Sequence, residues 1–293
     1  MKLITLSGGL GNQMFQYAFY LALRQDRPQT KIDPSIFSHR PSHNGYELER
    51  VFGVQAPTAS PQERNQMADV SKDWFSELRR ALGITRTTTG QLIIEPDPAK
   101  GWRQDLLHVD NAYLQGYWQS EKYFLPVVEQ VRDAFVFRLP LPETETRMAQ
   151  QMSDTQSVSV HIRRGDYLKA RRRADYEVCT ETYYRRAMEY IQAHVSNPRF
   201  YVFSDEPAWG RTLGCFPKET VFVSGHTGEN AYIDMQLMTC CRHHIIANSS
   251  FSWWGAWLGE HQDSIILAPN TWFRLRPRPD IIPDRWIQID VNR

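Results

Sequence analysis

Four segments, the last of them in two pieces, carry the residues able to do chemistry. In VSVHIRRGD, Val158 to Asp166, the alternation of Val158, Val160 and Ile162 makes a strand that delivers His161, Arg163, Arg164 and Asp166 to its carboxyl end. Ligands of open α/β sheets bind at that end. A guanidinium is a rigid fork of donors that matches phosphate oxygens, so paired arginines beside Gly165 can hold a diphosphate without a metal. The structural alternative is an Arg–Asp network that only braces the strand end, and His161 alone reads equally as a hydrogen-bonded core residue.

In SGGLGNQ, Ser7 to Gln13, glycines between a strand and a helix let the backbone approach a ligand, and the free amides of the helix start favour an anion. As a dinucleotide fingerprint it is incomplete. Gly9 and Gly11 supply the first two glycines of G-x-G-x-x-G but Met14 holds the third place, although Asp33 stands where a ribose-binding acid belongs. Asn12 and Gln13 add amide donors and acceptors with no evident packing purpose, against the alternative of a bare tight turn. In FSDEP, Phe203 to Pro207, Asp205 and Glu206 either contact a ligand or cap the next helix. In NAYIDMQLM, Asp234 suits the positive end of a helix and equally the donor edge of a purine such as guanine. Asn248, Ser249 and Ser250 then occupy a strand-to-helix turn able to take phosphate oxygens. Trp253, Trp254 and Trp257 follow at helical spacing, which reads first as core and second as a sugar-stacking surface.

These segments need elements to hold them. Leu3 to Leu6 reads as a strand, followed by a helix with Met14, Tyr17, Ala18, Leu21 and Ala22 on one face and a second strand ending at Asp33. Phe37 to Lys100 has no sustained periodicity. LPLP, Leu139 to Pro142, disfavours helix and marks the linker, dividing the chain into residues 1–142 and 143–293. Beyond it, strands near Val158 to Ile162, Phe200 to Phe203, Val221 to Val223, Ile245 to Ala247 and Ile265 to Leu267 alternate with helices, among them Glu181 to Val195 capped by Thr180 and Asn230 to Cys241. That pattern predicts a parallel sheet with covering helices.

Composition bounds the rest. With 293 residues, 41% hydrophobic and 23% charged, the chain is globular and about two domains long. Its 34 basic and 33 acidic side chains nearly cancel, which excludes a global field for nucleic acid or an anionic membrane and makes any anion site local. KARRR, Lys169 to Arg173, reads as a solvated loop. Cys179, Cys215, Cys240 and Cys241 have neither zinc spacing nor a C-x-x-C pair, which fits a reducing cytoplasm. No signal peptide is expected, and Ile245 to Gly259 is too short and polar for a transmembrane span. H-E-x-x-H, P-loop, EF-hand and D-x-D patterns are missing, so no metal is demanded.

Taken together, GGLGNQMFQYA at Gly8 to Ala18, HIRRGDY at His161 to Tyr167, FSDE at Phe203 to Glu206 and NSSFSWWGAWL at Asn248 to Leu258 resemble the bacterial α1,2-fucosyltransferases of glycosyltransferase family eleven. The pieces stand in the family's order over most of the chain, with Phe37 to Lys100 matching least. The resemblance implies an α/β architecture of GT-B type, two Rossmann-like domains facing a cleft, with an acceptor-side amino-terminal domain and a carboxyl-terminal domain that holds GDP-fucose. It further implies that Arg163 pairs with the diphosphate, with Arg164 assisting or supporting the strand. Asp234 would read guanine, and the turn at Ser249, Ser250 and Phe251 would bind phosphates together with Asn248. Asp205 joins the donor contacts, and Gly9, Gly11, Asn12 and Gln13 approach the donor from the other domain. The family is metal-independent and inverting.

The resemblance thus predicts transfer of L-fucose to the 2-hydroxyl of a terminal β-galactose, on an oligosaccharide or lipid-linked glycan such as an O-antigen unit. Asp166 is the first candidate base, equally able to orient the arginines; His161 is the second and Glu177 the third. A cytoplasmic enzyme, peripheral at the inner membrane and with no nucleic-acid partner, is expected. Two other classes stay open on the residues alone: an NAD-dependent oxidoreductase on Gly9, Gly11 and Asp33, which leaves the arginines unexplained, and a non-catalytic carbohydrate-binding protein using the tryptophans.

Overall fold

The computed structural model describes all residues except 40–42, 71–73, 85, 169–173, 177–178 and 292–293, and only the backbone of 39, 98, 166 and 168. Two compact units divide the chain, one of Met1–Asp97 with Gly101–Val136, the other of Pro98–Lys100 with Phe137–Arg293. Pro142 lies just inside the second, at the amino end of the helix Glu143–Ser153.

In the first unit, β1 (Lys2–Thr5), β2 (Lys31–Asp33), β3 (Gln91–Ile94) and β4 (Ala112–Gln115) form a parallel sheet in the order β2-β1-β4-β3. The helix Leu10–Asp26 crosses from β1 to β2 and buries Met14, Tyr17, Ala18 and Ala22, as its spacing predicts, but also Phe15 and Phe19, which lie off that face, while Leu21 is only partly buried. Phe19 meets Trp118 and Tyr123 at 4.9 Å between ring centroids. Between β2 and β3 lie the short helices Ile36–His39, Leu48–Phe52, Pro61–Met67 and Trp74–Ala81. Their brevity explains the missing periodicity there: a helix of about two turns or fewer shows no repeat to read.

In the second unit, β5 (Ser157–Ile162), β6 (Arg199–Ser204), β7 (Val221–Val223), β8 (His243–Ile245), β9 (Ile266–Pro269) and β10 (Ile287–Ile289) form a parallel sheet in the order β10-β9-β8-β5-β6-β7. Every residue of β5 is buried, as befits a central strand covered on both faces. Strand β8 begins two residues earlier than its apolar run suggests, because His243 and His244 are buried within it; the His244 ring bonds Ser159 Oγ at 2.8 Å. Thr180 precedes the helix Glu181–His194, but its side chain makes no capping bond. Trp253, Trp254 and Trp257 are sealed in the interior of the helix Ser250–Gly259, so they are core and no sugar surface.

Chain order locates the crevices. From β5 the chain winds outward through β6 and β7, then returns to place β8 on the other side of β5. The strand order therefore reverses between β5 and β8, the point at which open α/β sheets take ligands. The first sheet reverses between β1 and β4 in the same way.

Candidate active site

At the carboxyl end of β5 the chain delivers Arg163 and Arg164, and the next strand, β6, delivers Asp205. Asp205 Oδ1 accepts the Arg164 backbone N–H at 3.0 Å while its Oδ2 meets Arg163 Nη1 at 3.2 Å. A Cβ at Gly165 would stand 2.8 Å from that same Oδ2, so the glycine is needed for the carboxylate to close on the turn. The Arg164 guanidinium lies 3.8 Å above the Trp209 ring. Its side chain is 18% exposed against 31% for Arg163, so Arg163 is the better placed to meet a ligand and Arg164 supports the turn. Asp205 is thus a bracket for the arginines. It caps nothing: the helix Pro207–Thr212 starts from Glu206, whose side chain makes no capping bond.

His161 is buried, and desolvation, with Arg163 second, pushes its pKa down to about 3. The ring is therefore neutral at physiological pH, with a low affinity for a further proton. Its Nδ1 has no hydrogen-bond partner among the described residues, and its ring stands 5.8 Å from that of Phe251 across the β5–β8 switch point. Residue 166 contributes backbone to a tight turn, Gly165–Leu168; the Asp166 side chain, Glu177 and the run 169–173 lie outside the described residues.

After β8 the Asn248 amide is consumed internally. Its Nδ2 donates to the carbonyls of Tyr176 and Trp272 at 3.0 and 2.9 Å, and its Oδ1 accepts the Cys179 thiol at 3.6 Å. The expected phosphate contact from this side chain gives way to a strap that ties three segments together. Tyr167 Oη donates to the Asn248 carbonyl at 2.9 Å, holding the turns after β5 and β8 to each other. Ser249 is the residue before the helix Ser250–Gly259, in extended conformation, and its side chain leaves the first-turn amides uncapped. Ser250 and Phe251 therefore open a helix start, with its partial positive charge, beside the arginine turn.

The glycine loop of the first unit is equally defined. Gly8 has φ +79° and a Cβ there would strike Asn12 Nδ2 at 2.6 Å. Gly9 precedes the helix, and its carbonyl accepts the amides of Asn12 and Gln13 at 2.9 and 3.1 Å. Gly11 is buried within the first turn. Gln13 is fully buried: Nε2 donates to the carbonyls of Gly8 and Gly45 at 3.0 and 2.8 Å, and Oε1 accepts the Glu47 N–H at 2.9 Å. Asn12 Oδ1 accepts Gln119 Nε2 at 2.8 Å. The two amides thus have a structural purpose that the sequence concealed, bracing the loop. Gln16, overlooked in the sequence, adds bonds to Ser7 and, at 2.8 Å, to the Gly116 carbonyl, joining the ends of β1 and β4. Asp33 is buried, with Oδ1 accepting the Ser35 amide at 3.0 Å and Oδ2 the Tyr113 hydroxyl. A ribose-binding acid needs its carboxylate open, so the dinucleotide reading loses its second support.

A sequence profile described as Glycosyl transferase family 11 matches residues 104–289. An α-1,2-colitosyltransferase of Escherichia coli is 32% identical over 298 residues, covering 97% of each chain. The chain belongs to glycosyltransferase family 11. Also similar to this family 11 glycosyltransferase are the O-antigen biosynthesis glycosyltransferase WbnK of Escherichia coli, 29% identical over 97% of this chain and 99% of that one, and galactoside α-(1,2)-fucosyltransferase 1 of Lagothrix lagotricha. The latter is 27% identical, over 97% of this chain and 74% of its own.

One further group of charges lies in the second unit of the family 11 chain. Asp234, in the first turn of the helix Tyr232–Thr239, takes His226 Nδ1 at 2.6 Å on its Oδ1, and His226 Nε2 stands 3.3 Å from Glu145 Oε1. His226 and Glu145 are separated by 81 residues and belong to no motif, so nothing in the sequence joins them. Trp209 was hidden for a similar reason: its stacking on Arg164 depends on how β5 and β6 pair.

Proposed function

We propose that this glycosyltransferase transfers L-fucose from GDP-fucose to the 2-hydroxyl of a terminal β-galactose, on an oligosaccharide or a lipid-linked glycan, with inversion at the fucose C1. The observation that carries the reading is Arg163, gripped by Asp205 at the end of β5 beside the open helix start at Ser250. A rigid guanidinium next to uncapped amides at a strand-order switch point suits the diphosphate of a nucleotide sugar. The names of the relatives supply the sugar and the linkage.

In this mechanism the acceptor oxygen attacks C1 opposite the diphosphate; the C1–O bond to the β-phosphate breaks as the new glycosidic bond forms, with oxocarbenium character between. Negative charge grows on the departing GDP. Arg163 and the amides of Ser250 and Phe251 stand ready to stabilise it, which needs no metal. We assign the acceptor's proton to Asp166, Asp234 to the guanine edge, the backbone of Gly9 and Gly11 to a further anion contact, the first unit to the acceptor and the second to the donor. The 32% identity to a colitosyltransferase favours one second reading, a donor carrying the 3-deoxy relative of fucose.

A lipid-linked acceptor would bring the enzyme to a membrane surface. No helix among the described residues is long and apolar enough to cross one. Peripheral contact is supported by the helix Trp74–Ala81, which is turned inside out: Arg79 and Arg80 fold inward onto Asp69, while Trp74 and Phe75 are 66% and 75% exposed. Calorimetric titration tests the donor half. GDP and GDP-fucose should bind and NAD should not; tight NAD binding would point to the oxidoreductase, and galactoside binding indifferent to any nucleotide to a lectin.

A further inference from the structure

His226 has an acceptor at both ring nitrogens: Asp234 Oδ1 at 2.6 Å from Nδ1 and Glu145 Oε1 at 3.3 Å from Nε2. A neutral imidazole carries one N–H, so two carboxylate partners fit the doubly protonated cation. The ring is 9% exposed and each carboxylate side chain 17%, so the three groups lie mostly out of solvent. The arrangement bridges separate elements. Glu145 sits in the first turn of the helix Glu143–Ser153, ahead of β5, whereas Asp234 begins the helix that follows β7. Because β7 runs parallel to β5 and β6, the chain leaving it emerges at the same sheet edge as the arginine turn. Asp234 therefore stands at the ligand-binding edge, and its helix packs on the helix Ser250–Gly259.

A carboxylate that accepts guanine N1–H and N2–H must be ionised and fixed in direction. Burial works against the first requirement, raising the proton affinity of Asp234, and the His226 contact opposes that rise. The other charges nearby do not compete: Glu143 and Arg147 pair with each other at 3.6 Å, and Glu229 is exposed.

We propose that His226, backed by Glu145, is a positioning residue that holds Asp234 as an aimed carboxylate and so sets the preference for guanine over adenine, whose N1 is an acceptor. The inference rests on the assignment of Asp234 to the guanine edge. Its test is calorimetric binding of GDP and ADP to the wild type and to His226→Leu, His226→Asn, Glu145→Gln and Asp234→Asn, with donor KM and kcat for each. His226→Leu should lower the GDP-to-ADP affinity ratio by about tenfold, in line with the loss of one charge-assisted hydrogen bond. Donor KM should rise while kcat at saturating donor stays within about twofold. His226→Asn, which sets an amide donor near the position of Nδ1, should restore most of the ratio, and Glu145→Gln should cost only a few-fold. Equal weakening of GDP and ADP, as a merely structural role would give, overturns the proposal, as does an unchanged ratio in His226→Leu when Asp234→Asn loses it. If Asp234→Asn itself keeps the ratio, the guanine assignment falls and this inference with it.

Discussion

Asp205 grips Arg163 across neighbouring strands, Oδ2 to Nη1 at 3.2 Å, and the same carboxylate takes the backbone amide of Arg164. One acid thus fixes both the direction of the half-buried guanidinium and the turn that carries it. Arg163→Ala should reduce kcat by about two to three orders of magnitude, the usual cost of removing one preorganised donor from a developing anion. Arg163→Lys should rescue little, because a point charge does not reproduce the fork. Asp205→Asn and Gly165→Ala should each cost about tenfold in kcat/KM, since both loosen the bracket without removing the charge. Steady-state kinetics with the purified variants checks the ranking, and near-normal turnover in Arg163→Ala would sink the assignment.

Gln13 separates structure from ligand contact in the first unit. Its truncation to Ala leaves the Glu47 amide and the Gly8 and Gly45 carbonyls without their partner. Thermal and urea unfolding should show a loss of about 2 kcal/mol. An unchanged stability with a raised donor KM would instead return Gln13 to the role of a ligand contact.

Two enclosed histidines make the fold sensitive to acid. Burial, the largest cause in each, pushes His161 and His244 from 6.5 down to about 3. Between those values the unfolded chain binds protons that the native state refuses, so the contribution of these two rings is full above pH 6.5 and drains as the pH falls toward 3. Each group should contribute a slope of about 1.4 kcal/mol per pH unit within the window. His226 works with the opposite sign. Its pKa is raised, first by the hydrogen bond to Asp234, so its contribution is complete below its unfolded value and is lost as the pH rises through the higher native one. Urea unfolding from pH 4 to 8 should give a shallower acid slope for His244→Gln than for the wild type; equal slopes would contradict the burial argument.

The outward face of the helix Trp74–Ala81 predicts lipid binding that can be removed without touching the fold. Trp74→Glu with Phe75→Glu replaces two side chains that are 66% and 75% exposed, so melting should shift by less than about 1 kcal/mol. Cosedimentation with liposomes should drop while activity on a soluble galactoside is kept. Retained cosedimentation would exclude this face as the contact.

What the sequence disclosed depended on the range of the interactions. The alternation in β5 and the apolar runs of β6 and β7 are local signals, and those strands lie where expected. The start of β8 was hidden because two histidines look polar until Ser159 and the neighbouring strands enclose them. In β3 only one residue is even half-buried, so no pattern marked it. At the site, residue types were legible but partners were not. Nothing local reveals that Asn248 is spent on Tyr176 and Trp272, that Gln13 reaches Gly45, or that His226 finds Glu145. Polar side chains at a strand end advertise a site, and only the fold decides which of them face the ligand and which hold the others still.

We propose fucosyl transfer by a site that neutralises its leaving group with protein groups alone. The most direct measurement incubates the enzyme with GDP-fucose and a panel of β-galactosides, with and without EDTA, and reads the product by mass and by NMR linkage analysis. The expected product is an α-linked fucose on the galactose 2-hydroxyl, formed at the same rate in EDTA. A product formed only when a divalent metal is supplied, or fucose linked at another position, would contradict it.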